Sequence, residues 1–379
     1  MREVCVVGVG MIRFGKFPEK SLEDLGVPAI LEACDEAAVP MEKIQVAYCG
    51  SVQGGNCVGQ RILKEVGLTG IEVVNVSNAC ASGSTAFRGV WGLIAAGVYD
   101  IGLAFGVEQM SRTIAGAIPL DQEDLEAGQG LIMPALYAMR AQRHMDRFGT
   151  KREHLAMVSV KNHAHSVHNP RAQYRKAFTV EEVLNSAMIC DPITLYQCCP
   201  TGDGASAAVL CAKELAPKYS AKPITVAASV LTSGKSSLEP HDVTFSDLTR
   251  RTAQEAYEMA GIGPGDLDVL EVHDAFTIGE ILHYENLGLC GPGEGARLIE
   301  EKRTWIGGET PVNPSGGLLS KGHPLGATGI AQVAEIVWQL RGEAGARQVQ
   351  GAKVGLTHCT GGGIGGIDGA ACSIHLLKR

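Results

Sequence analysis

Residues 74–83 read V-N-V-S-N-A-C-A-S-G, and the interpretation of the whole chain starts from this stretch. The apolar, β-branched run at 71–76 predicts a buried strand, and the small and apolar residues at 84–98 predict a helix. Cys80 therefore falls where a strand turns into a helix. The unpaired N–H groups and the dipole of a helix N-terminus favour a thiolate, so the position indicates a nucleophile. A buried structural thiol is the alternative, because free cysteine is a common core residue.

Length and composition limit the class of protein. With 379 residues, of which 45% are hydrophobic and 20% charged, the chain predicts two domains or one duplicated α/β body. A net charge of −8 argues against nucleic-acid or anionic-membrane partners. There is no signal peptide pattern and no apolar run of about 20 residues, so we expect no membrane span. The 12 scattered cysteines, without a C-x-x-C pair, predict thiols in a reducing cytoplasm and no metal site.

Helical and strand patterns alternate in two parts of the chain. The first part predicts strands at 3–8, 44–49, 71–76 and 100–107, with helices at 21–38, 59–66 and 84–98. The second part predicts strands at 223–230, 267–272, 311–313, 353–357 and 368–376, with helices at 247–260, 277–287 and 327–341. This alternation predicts a layered α/β fold with a largely parallel sheet.

Short sequence matches between the two parts favour an internal duplication. V-N-V-S at 74–77 parallels V-N-P-S at 312–315, and I-G-L-A-F-G at 101–106 parallels V-G-L-T-H-C at 354–359. A duplication would place both V-N-x-S loops at equivalent ends of two packed sheets, so that the segments after them face one shared site.

The alternation is interrupted at about 111–200, where polar residues and long helical patterns, at 131–148 and 151–165, predict an insertion over the core. We therefore expect an N-terminal half at 1–220, which contains this insertion, and a C-terminal half at 221–379.

Two histidines lie in loops that predict chemistry. E-V-H-D-A-F at 271–276 follows a strand, so His273 is either a base oriented by Asp274 or a packed residue before a helix cap. The loop N-P-S-G-G-L-L-S-K-G-H-P-L-G-A-T-G at 313–329 crowds glycines around His323, which is costly for structure alone. Its spacing fits neither of the usual phosphate-binding glycine patterns, so a fixed imidazole is the better interpretation.

A second cysteine follows another predicted strand. T-H-C-T-G-G-G-I-G-G at 357–366 places Cys359 at a strand end, before backbone amides that carry no side chains. A thiol acid/base next to an amide donor for an oxyanion is the functional interpretation, and a tight turn with a buried cysteine is the alternative. Two cysteines, two histidines and amide-rich loops at strand ends together suit acyl transfer through a thioester intermediate.

The chain resembles the thiolase family over its whole length. The resemblance rests on N-A-C-A-S-G at Cys80, C-P-T-G-D-G-A at 199–205, H-D-A-F at 273–276, G-H-P-L-G-A-T-G at 322–329 and C-T-G-G-G at 359–363. H-D-x-F, where ordinary thiolases have N-E-x-F, points to the sterol-carrier-protein-2-type branch, whose bacterial members are often labelled lipid-transfer proteins or acetyl-CoA acetyltransferases. The resemblance implies two duplicated βαβαβαββ halves that form a five-layered α-β-α-β-α core with an inserted loop domain.

The resemblance also implies roles for the candidate residues. Cys80 would be the acylated nucleophile and His323 its activating base. His273 would form the enolate oxyanion hole with His323, and Cys359 would be the acid/base. The amides of Cys80 and Gly361 would form the other oxyanion hole. No bound cofactor or metal is expected, because coenzyme A and acyl-CoA are substrates.

The expected reaction is cleavage of a 3-oxoacyl-CoA by CoA, or the reverse Claisen condensation. Relatives often carry H-D-C-F with His-Asn where this chain has H-D-A-F with His358–Cys359, so one second thiol is kept either way. One alternative is an aldolase-like enzyme, against which Cys80 and Cys359 weigh, and another is a ketosynthase-like enzyme, against which G-H-P-L-G-A-T-G and C-T-G-G-G weigh. A third is a non-catalytic acyl-CoA-binding subunit. The chain stops near the end of the thiolase unit, so lipid transfer is not expected.

The resemblance predicts partners for the chain, and the insertion offers candidate contacts for CoA. By resemblance we expect a homodimer or tetramer, and a small zinc-bearing OB-fold protein as a further partner. Basic residues of the insertion are candidates for the CoA phosphates, namely Arg140, Arg143, Lys151 and Arg152. We interpret the histidines there as scattered surface residues rather than CoA contacts, namely His144, His154, His163, His165 and His168.

Overall fold

A computed structural model describes residues 1–114, 116–120, 124–235, 242–365 and 368–379. Its strands are β1 (Val4–Met11), β2 (Val46–Gly50), β3 (Glu72–Val76), β4 (Ile101–Gln109), β5 (Met188–Cys190), β6 (Ile193–Thr194), β7 (Asp203–Ala212), β8 (Ile224–Ser233), β9 (Val269–Glu271), β10 (Val354–Gly365) and β11 (Asp368–Lys378). Its helices are α1 (Leu22–Glu36), α2 (Val58–Glu65), α3 (Ser82–Ala95), α4 (Leu125–Gly128), α5 (Met133–Phe148), α6 (Arg152–Ser166), α7 (Val180–Leu184), α8 (Ala216–Tyr219), α9 (Asp247–Ala260), α10 (Thr277–Asn286), α11 (Gly295–Glu300), α12 (Gly317–Lys321) and α13 (Leu325–Arg341). Within these ranges no helix is long and apolar enough to cross a membrane.

The strand order repeats in the two parts of the chain, as the predicted duplication requires. The main sheet has the order β3-β2-β4-β7-β1-β8-β11-β10-β9, and Val312 extends it by a parallel bridge to Leu270 of β9. Counted within each part, both orders are third, second, fourth, fifth, first. The two parts meet at β1 and β8 through only two residue pairs, Cys5 with Thr225 and Val6 with Ile224.

The layers follow from which elements share a core. One core joins α1 and α2 to the outer face of the first strands, and another joins α9 and α10 to the outer face of the second strands. Between them a central core combines α3 and α13 with strands of both parts. These contacts form the expected five-layered α-β-α-β-α arrangement, because both central helices are apolar on the sides that face the two sheets.

The expectation of a largely parallel sheet is wrong, because the sheet is mixed. β2 pairs in parallel with β3 and β4, and β10 with β9, but the pairs of β7, β1, β8 and β11 are antiparallel. Parallel neighbours require a crossover helix. β11 instead follows β10 in the chain without a helix, and β7 follows β4 only after the insertion.

The insertion lies between β4 and β7 and is largely helical. Its helices α5 and α6 pack on α10 and on the segment 318–319 through an apolar core of their own. The sequence predicted both helices, with α5 at 131–148 and α6 at 151–165. The insertion therefore covers the second part of the chain at the ends of β9 and β10.

The N-terminal turns of α3 and α13 pack directly against the backbone of β2 and β4, without side chains between them. A Cβ on Gly83 would lie 2.6 Å from the carbonyl oxygen of Gly326, and a Cβ on Gly106 would lie 2.0 Å from the same atom. Such distances exclude any side chain, so glycine is required at both positions. The contact fixes the start of α13 against the start of α3.

Gly326→Ala is expected to lower the free energy of unfolding by about 3 kcal/mol, because the added Cβ would overpack a rigid contact. That atom would lie 2.5 Å from the carbonyl oxygen of Gly50 and 2.6 Å from that of Val107, and neither backbone atom can rotate away. Urea denaturation measures the loss. The matched control is Gly265→Ala, whose Cβ meets nothing within 4 Å and should change stability by less than about 0.5 kcal/mol. Equal losses in the two variants would contradict this account.

Candidate active site

Cys80 lies in a tight turn that joins β3 to α3. Ala79 has a φ of 46°, a left-handed conformation that is uncommon for a residue with a side chain. The N–H of Ala81 donates to the oxygen of Asn78 at 2.9 Å, and the N–H of Ser82 donates to the oxygen of Ala79 at 3.1 Å. The turn holds Cys80 half-buried at the wall of a large cavity.

The helix N-terminus was expected to favour the thiolate form of Cys80, but burial acts in the opposite direction. Burial raises the pKa of this thiol to about 12, and the charge of Glu108 adds to the increase. A backbone hydrogen bond at Cys80 acts in the opposite direction and lowers the pKa, but it is a smaller effect than the loss of hydration. Cys80 is therefore a thiol that needs a base to become a nucleophile.

His323 lies between Gly322, with a φ of 110°, and Pro324, which precedes α13. Its Nδ1 is 2.8 Å from the hydroxyl oxygen of Thr328, and that hydroxyl donates to the oxygen of Pro324 at 2.9 Å. Because the hydroxyl proton is used in this way, Nδ1–H must donate to Thr328 and Nε2 carries no proton. Nε2 has no partner among the described residues, and burial lowers the pKa of His323 well below its usual range. His323 is thus a neutral base.

His273 follows β9 and lies next to His323, with 5.1 Å between the two ring centroids. Its Nδ1 is 3.5 Å from the sulfur of Cys359. Burial lowers the pKa of His273 to about 4, so its ring is neutral at physiological pH. A neutral imidazole keeps one N–H, which is a suitable donor to a developing oxyanion.

The sequence predicted Cys359 at the end of a strand, but the residue lies within β10. β10 continues to Gly365 and pairs with β11, so the glycine-rich run is extended strand and not a tight turn. The thiol donates to the oxygen of Cys80 at 3.1 Å, and burial raises its pKa well above the usual range. Cys359 therefore holds its proton next to the backbone of Cys80.

Gly361 lies in β10 against the turn that carries Cys80. A Cβ at this position would lie 2.1 Å from the oxygen of Asn78 and 2.6 Å from the nitrogen of Ala81, so only glycine fits. Gly361 lines the same cavity as Cys80. Its predicted role as an oxyanion donor stays a prediction.

Three donor atoms converge at the centre of the site. One atom each from Cys80, His273 and His323 lies within 4.8 Å of the other two. A tetrahedral zinc ion holds its sulfur and nitrogen ligands about 3.6 Å apart, so the set is looser than a formed metal site. The absence of a metal from the reaction stays a prediction.

The site opens into a cavity of about 690 Å³ whose lining includes apolar side chains of α5 and α10. Tyr137 and Phe276 stack there with their ring centroids 4.5 Å apart. Phe276 belongs to the H-D-A-F motif, but no motif marked α5 as a wall. The apolar lining includes Met133, Leu136, Tyr137, Ile189, Phe276 and Leu282.

Of the basic candidates for the CoA phosphates, Arg140 lines the cavity. Lys235, which the sequence analysis missed, also lines it. Arg143 is within 3.6 Å of Asp146, and Arg152 pairs with Asp191. Arg140 and Lys235 are thus the arginine and lysine residues in the described lining of the cavity.

The interpretation of the insertion histidines as surface residues is wrong for four of the five. His144, His154, His163 and His165 are buried, and His168 is exposed. Their hydrogen bonds explain the burial, because buried polar groups are almost always satisfied. His144, for example, bonds Thr150 through Nδ1 and Glu285 through Nε2.

Asp274 neither orients His273 nor caps the helix that follows it. Its carboxylate accepts the N–H groups of Leu318 at 2.7 Å and of Leu319 at 3.3 Å, at the start of α12. Gly317 leaves room for this contact, because a Cβ there would lie 2.2 Å from the Asp274 oxygen. Asp274 thus caps the helix that leads to His323, a role that only the tertiary fold reveals.

The fold and the site together define an α/β protein with a buried thiol–imidazole centre. The chain belongs to the thiolase family. A family description "Thiolase, N-terminal domain" matches residues 4–214, and "Thiolase C-terminal domain-like" matches residues 229–367.

Curated relatives cover the whole chain. The acetyl-CoA acetyltransferase of Methanothermobacter thermautotrophicus is 46% identical over the full length of both proteins. Sterol carrier protein 2 of Homo sapiens is 42% identical over 97% of this chain and 71% of that protein. The benzoylsuccinyl-CoA thiolase subunit BbsB of Thauera aromatica is 41% identical over 96% of this chain and 95% of that protein.

Solved structures share the fold at lower identity. The Ltp2–ChsH2(DUF35) aldolase superimposes with a TM-score of 0.86 at 22% identity, over 100% of this chain and 98% of that chain. The Acat5 thiolase of Ascaris suum in complex with coenzyme A gives a TM-score of 0.73 at 19% identity, over all of both chains. These likenesses establish the architecture.

Because its pKa is raised, Cys80 should react slowly with iodoacetamide at neutral pH, and its rate should increase with pH as the thiolate fraction grows. Peptide mass spectrometry measures the rate, with the exposed Cys57 as an internal reference that should be labelled faster at pH 7. Fast labelling of Cys80 that is independent of pH between about pH 6 and about pH 9 would show a preformed thiolate instead.

Proposed function

We propose that this protein is a thiolase that cleaves a 3-oxoacyl-CoA with CoA, or condenses acyl-CoAs in reverse, through an acyl-Cys80 intermediate. The observation that carries the proposal is the convergence of Cys80, His273 and His323 within 4.8 Å, with Cys359 at 3.5 Å from His273. This set supplies a nucleophile, a neutral base, an oxyanion donor and a second thiol at one end of an acyl-sized cavity.

In the first half-reaction His323 Nε2 takes the proton of Cys80, and the thiolate attacks the 3-oxo carbonyl carbon. The carbon–carbon bond between C2 and C3 then breaks, and the acyl group stays on Cys80 as a thioester. The leaving enolate of the shorter acyl-CoA takes the proton of Cys359. His273 and His323 stabilise the enolate oxygen, and the amides of Cys80 and Gly361 stabilise the oxyanion of the tetrahedral intermediate.

In the second half-reaction the thiol of free CoA attacks the acyl-Cys80 thioester. His323 returns a proton to the Cys80 sulfur as it leaves, and the proton of the CoA thiol restores Cys359. A raised pKa on Cys359 fits this role, because the group must hold a proton until the enolate forms. Coenzyme A and acyl-CoA are thus substrates, and the scheme needs no bound cofactor.

The cavity supports an acyl group larger than acetyl. Its lining includes the Tyr137–Phe276 stack and aliphatic side chains, which suit an apolar chain or ring. One relative is named a benzoylsuccinyl-CoA thiolase subunit, and another is named an acetyl-CoA acetyltransferase. We therefore propose a 3-oxoacyl-CoA substrate whose acyl group fills the space between α5 and α10.

The partners and the compartment belong to the same proposal. β3 is an edge strand with half-buried apolar residues, which is a surface suited to pairing with a second copy in a homodimer or tetramer. A similar fold occurs in an aldolase complex named for a DUF35 protein, which supports a small zinc-bearing OB-fold protein as a partner. We place the protein in the cytoplasm, where its free cysteines stay reduced.

Thiolysis of acetoacetyl-CoA and of longer 3-oxoacyl-CoA substrates should occur in the wild type and be lost by about 10³-fold or more in Cys80→Ala. Release of acetyl-CoA by chromatography measures the reaction, and Cys57→Ala is the control thiol variant. Thiolysis that survives in Cys80→Ala would contradict the acyl-Cys80 intermediate. CoA binding without turnover on any substrate, with or without a partner, would favour a non-catalytic subunit.

The variant Cys359→Ala distinguishes the role of Cys359 from that of Cys80. The variant should still form acetyl-Cys80 from acetyl-CoA, because acylation needs Cys80 and His323, but it should lose condensation and thiolysis by about 10²-fold or more. Intact-protein mass spectrometry detects the acetyl group, and substrate consumption measures turnover. A variant that turns over normally would contradict the assigned role of Cys359.

A further inference from the structure

α6 presents a row of buried polar side chains to the loop that carries His323. The members recur at three- and four-residue spacing, so they share one face of the helix and of the turn after it. All are nine-tenths buried or more, although their polarity predicts an exposed surface. The row consists of Lys161, Asn162, His165, Ser166 and Asn169.

Most of this row bonds the loop before α12 directly. Asn169 Nδ2 donates to the backbone oxygen of Ser315 at 2.8 Å, and His165 Nδ1 lies 3.0 Å from the backbone oxygen of Asn313. A backbone that is buried outside regular structure must find such partners. The insertion thus supplies hydrogen bonds that the loop before α12 cannot make within itself.

Asn162 makes a different contact, because it joins two buried carboxylates. Its two Nδ2 hydrogens go to Asp274 Oδ2 and Glu280 Oε2, each at 2.7 Å. Lys161 Nζ lies 2.5 Å from the other oxygen of Glu280. Burial and the charge of Glu280 raise the pKa of Asp274 well above its usual range, so these two carboxyl groups in a dry interior need donors such as Asn162.

Asp274 transmits this contact to both histidines. It is bonded covalently to His273, and it caps α12, which ends at Lys321, two residues before His323. A displacement of the Asp274 carboxylate therefore changes the separation between the two imidazole rings, now 5.1 Å between centroids.

We infer that Asn162, in the insertion, is a positioning residue that sets the geometry of His273 and His323 by holding Asp274 against Glu280. The inference rests on the proposed function, in which His323 activates Cys80. It assigns the insertion a part in the chemistry in addition to its part in forming the cavity. Asn162 itself does not line that cavity.

The test is the rate of Cys80 acetylation by acetyl-CoA, followed by intact-protein mass spectrometry in wild type and Asn162→Leu. The variant keeps the side-chain size but loses both donors. We expect the rate at saturating acetyl-CoA to fall by about 10- to 100-fold, because a displacement of about 1 Å at a reacting group has such an effect. The concentration for half-maximal rate should change by less than about 3-fold, because substrate contacts are retained.

The pH dependence provides a readout that a general loss of folded protein would not move. A displaced loop admits water to His323, so its pKa should rise from its lowered value towards the usual one near 6.5. The acid limb of the acetylation rate should therefore move to higher pH in Asn162→Leu. If that variant does not fold, Asn162→Ser, which keeps one donor, should show the same shift with a smaller fall in rate.

Two controls separate the possible failures. Ser159→Ala removes a hydrogen bond from α6 to the oxygen of Tyr196, within the insertion only, and should acetylate at the wild-type rate. His323→Ala should slow acetylation strongly. If wild type is not acetylated, or if His323→Ala acetylates normally, the proposed function fails and the inference with it. If His323→Ala is slow but Asn162→Leu behaves as wild type, or Ser159→Ala is equally slow, only the inference fails.

Discussion

The contact on which the rest of the structure depends is the backbone approach of α13 to α3 and to the first sheet. Gly83, Gly106 and Gly326 allow separations that no side chain permits. Because Cys80 precedes α3 and His323 precedes α13, this contact brings a thiol and an imidazole together from positions far apart in the chain. Glu108 reinforces it, since its carboxylate accepts the N–H of Gly326 at 3.0 Å and of Val52 at 2.9 Å.

Burial then determines the charge state of the site. The pKa values of Cys80 and Cys359 are raised and those of His273 and His323 are lowered, each mainly by desolvation. Neutral thiols and neutral imidazoles therefore coexist at close range, whereas an ion pair would need solvation that the site lacks. Proton transfer in such a centre depends on distance and hydrogen-bond direction, so the surrounding scaffold matters as much as the reacting groups.

Much of the arrangement could be predicted from the sequence, because the relevant signals are local. Cys80 follows a β-branched run, His323 sits among glycines, and the repeated V-N-x-S loops indicate equivalent strand ends, so convergence of these residues was predictable. Three features could not be predicted, because each depends on neighbours that are distant in sequence. They are the antiparallel strand pairs, the extension of β10 beyond Cys359 and the protonation of Cys80. The buried face of α6 was missed because polar residues at helical spacing are typical of an exposed surface.

The repeated strand order shows which part of the chain supplies each group of the site. The nucleophile comes from the first repeat, whereas both imidazoles and the second thiol come from the second. Neither repeat therefore contains all four of these groups. Only two residue pairs join β1 to β8, so the two parts are held together mainly by the apolar core that α3 and α13 share. The distances among these groups therefore depend on how the two repeats pack against each other.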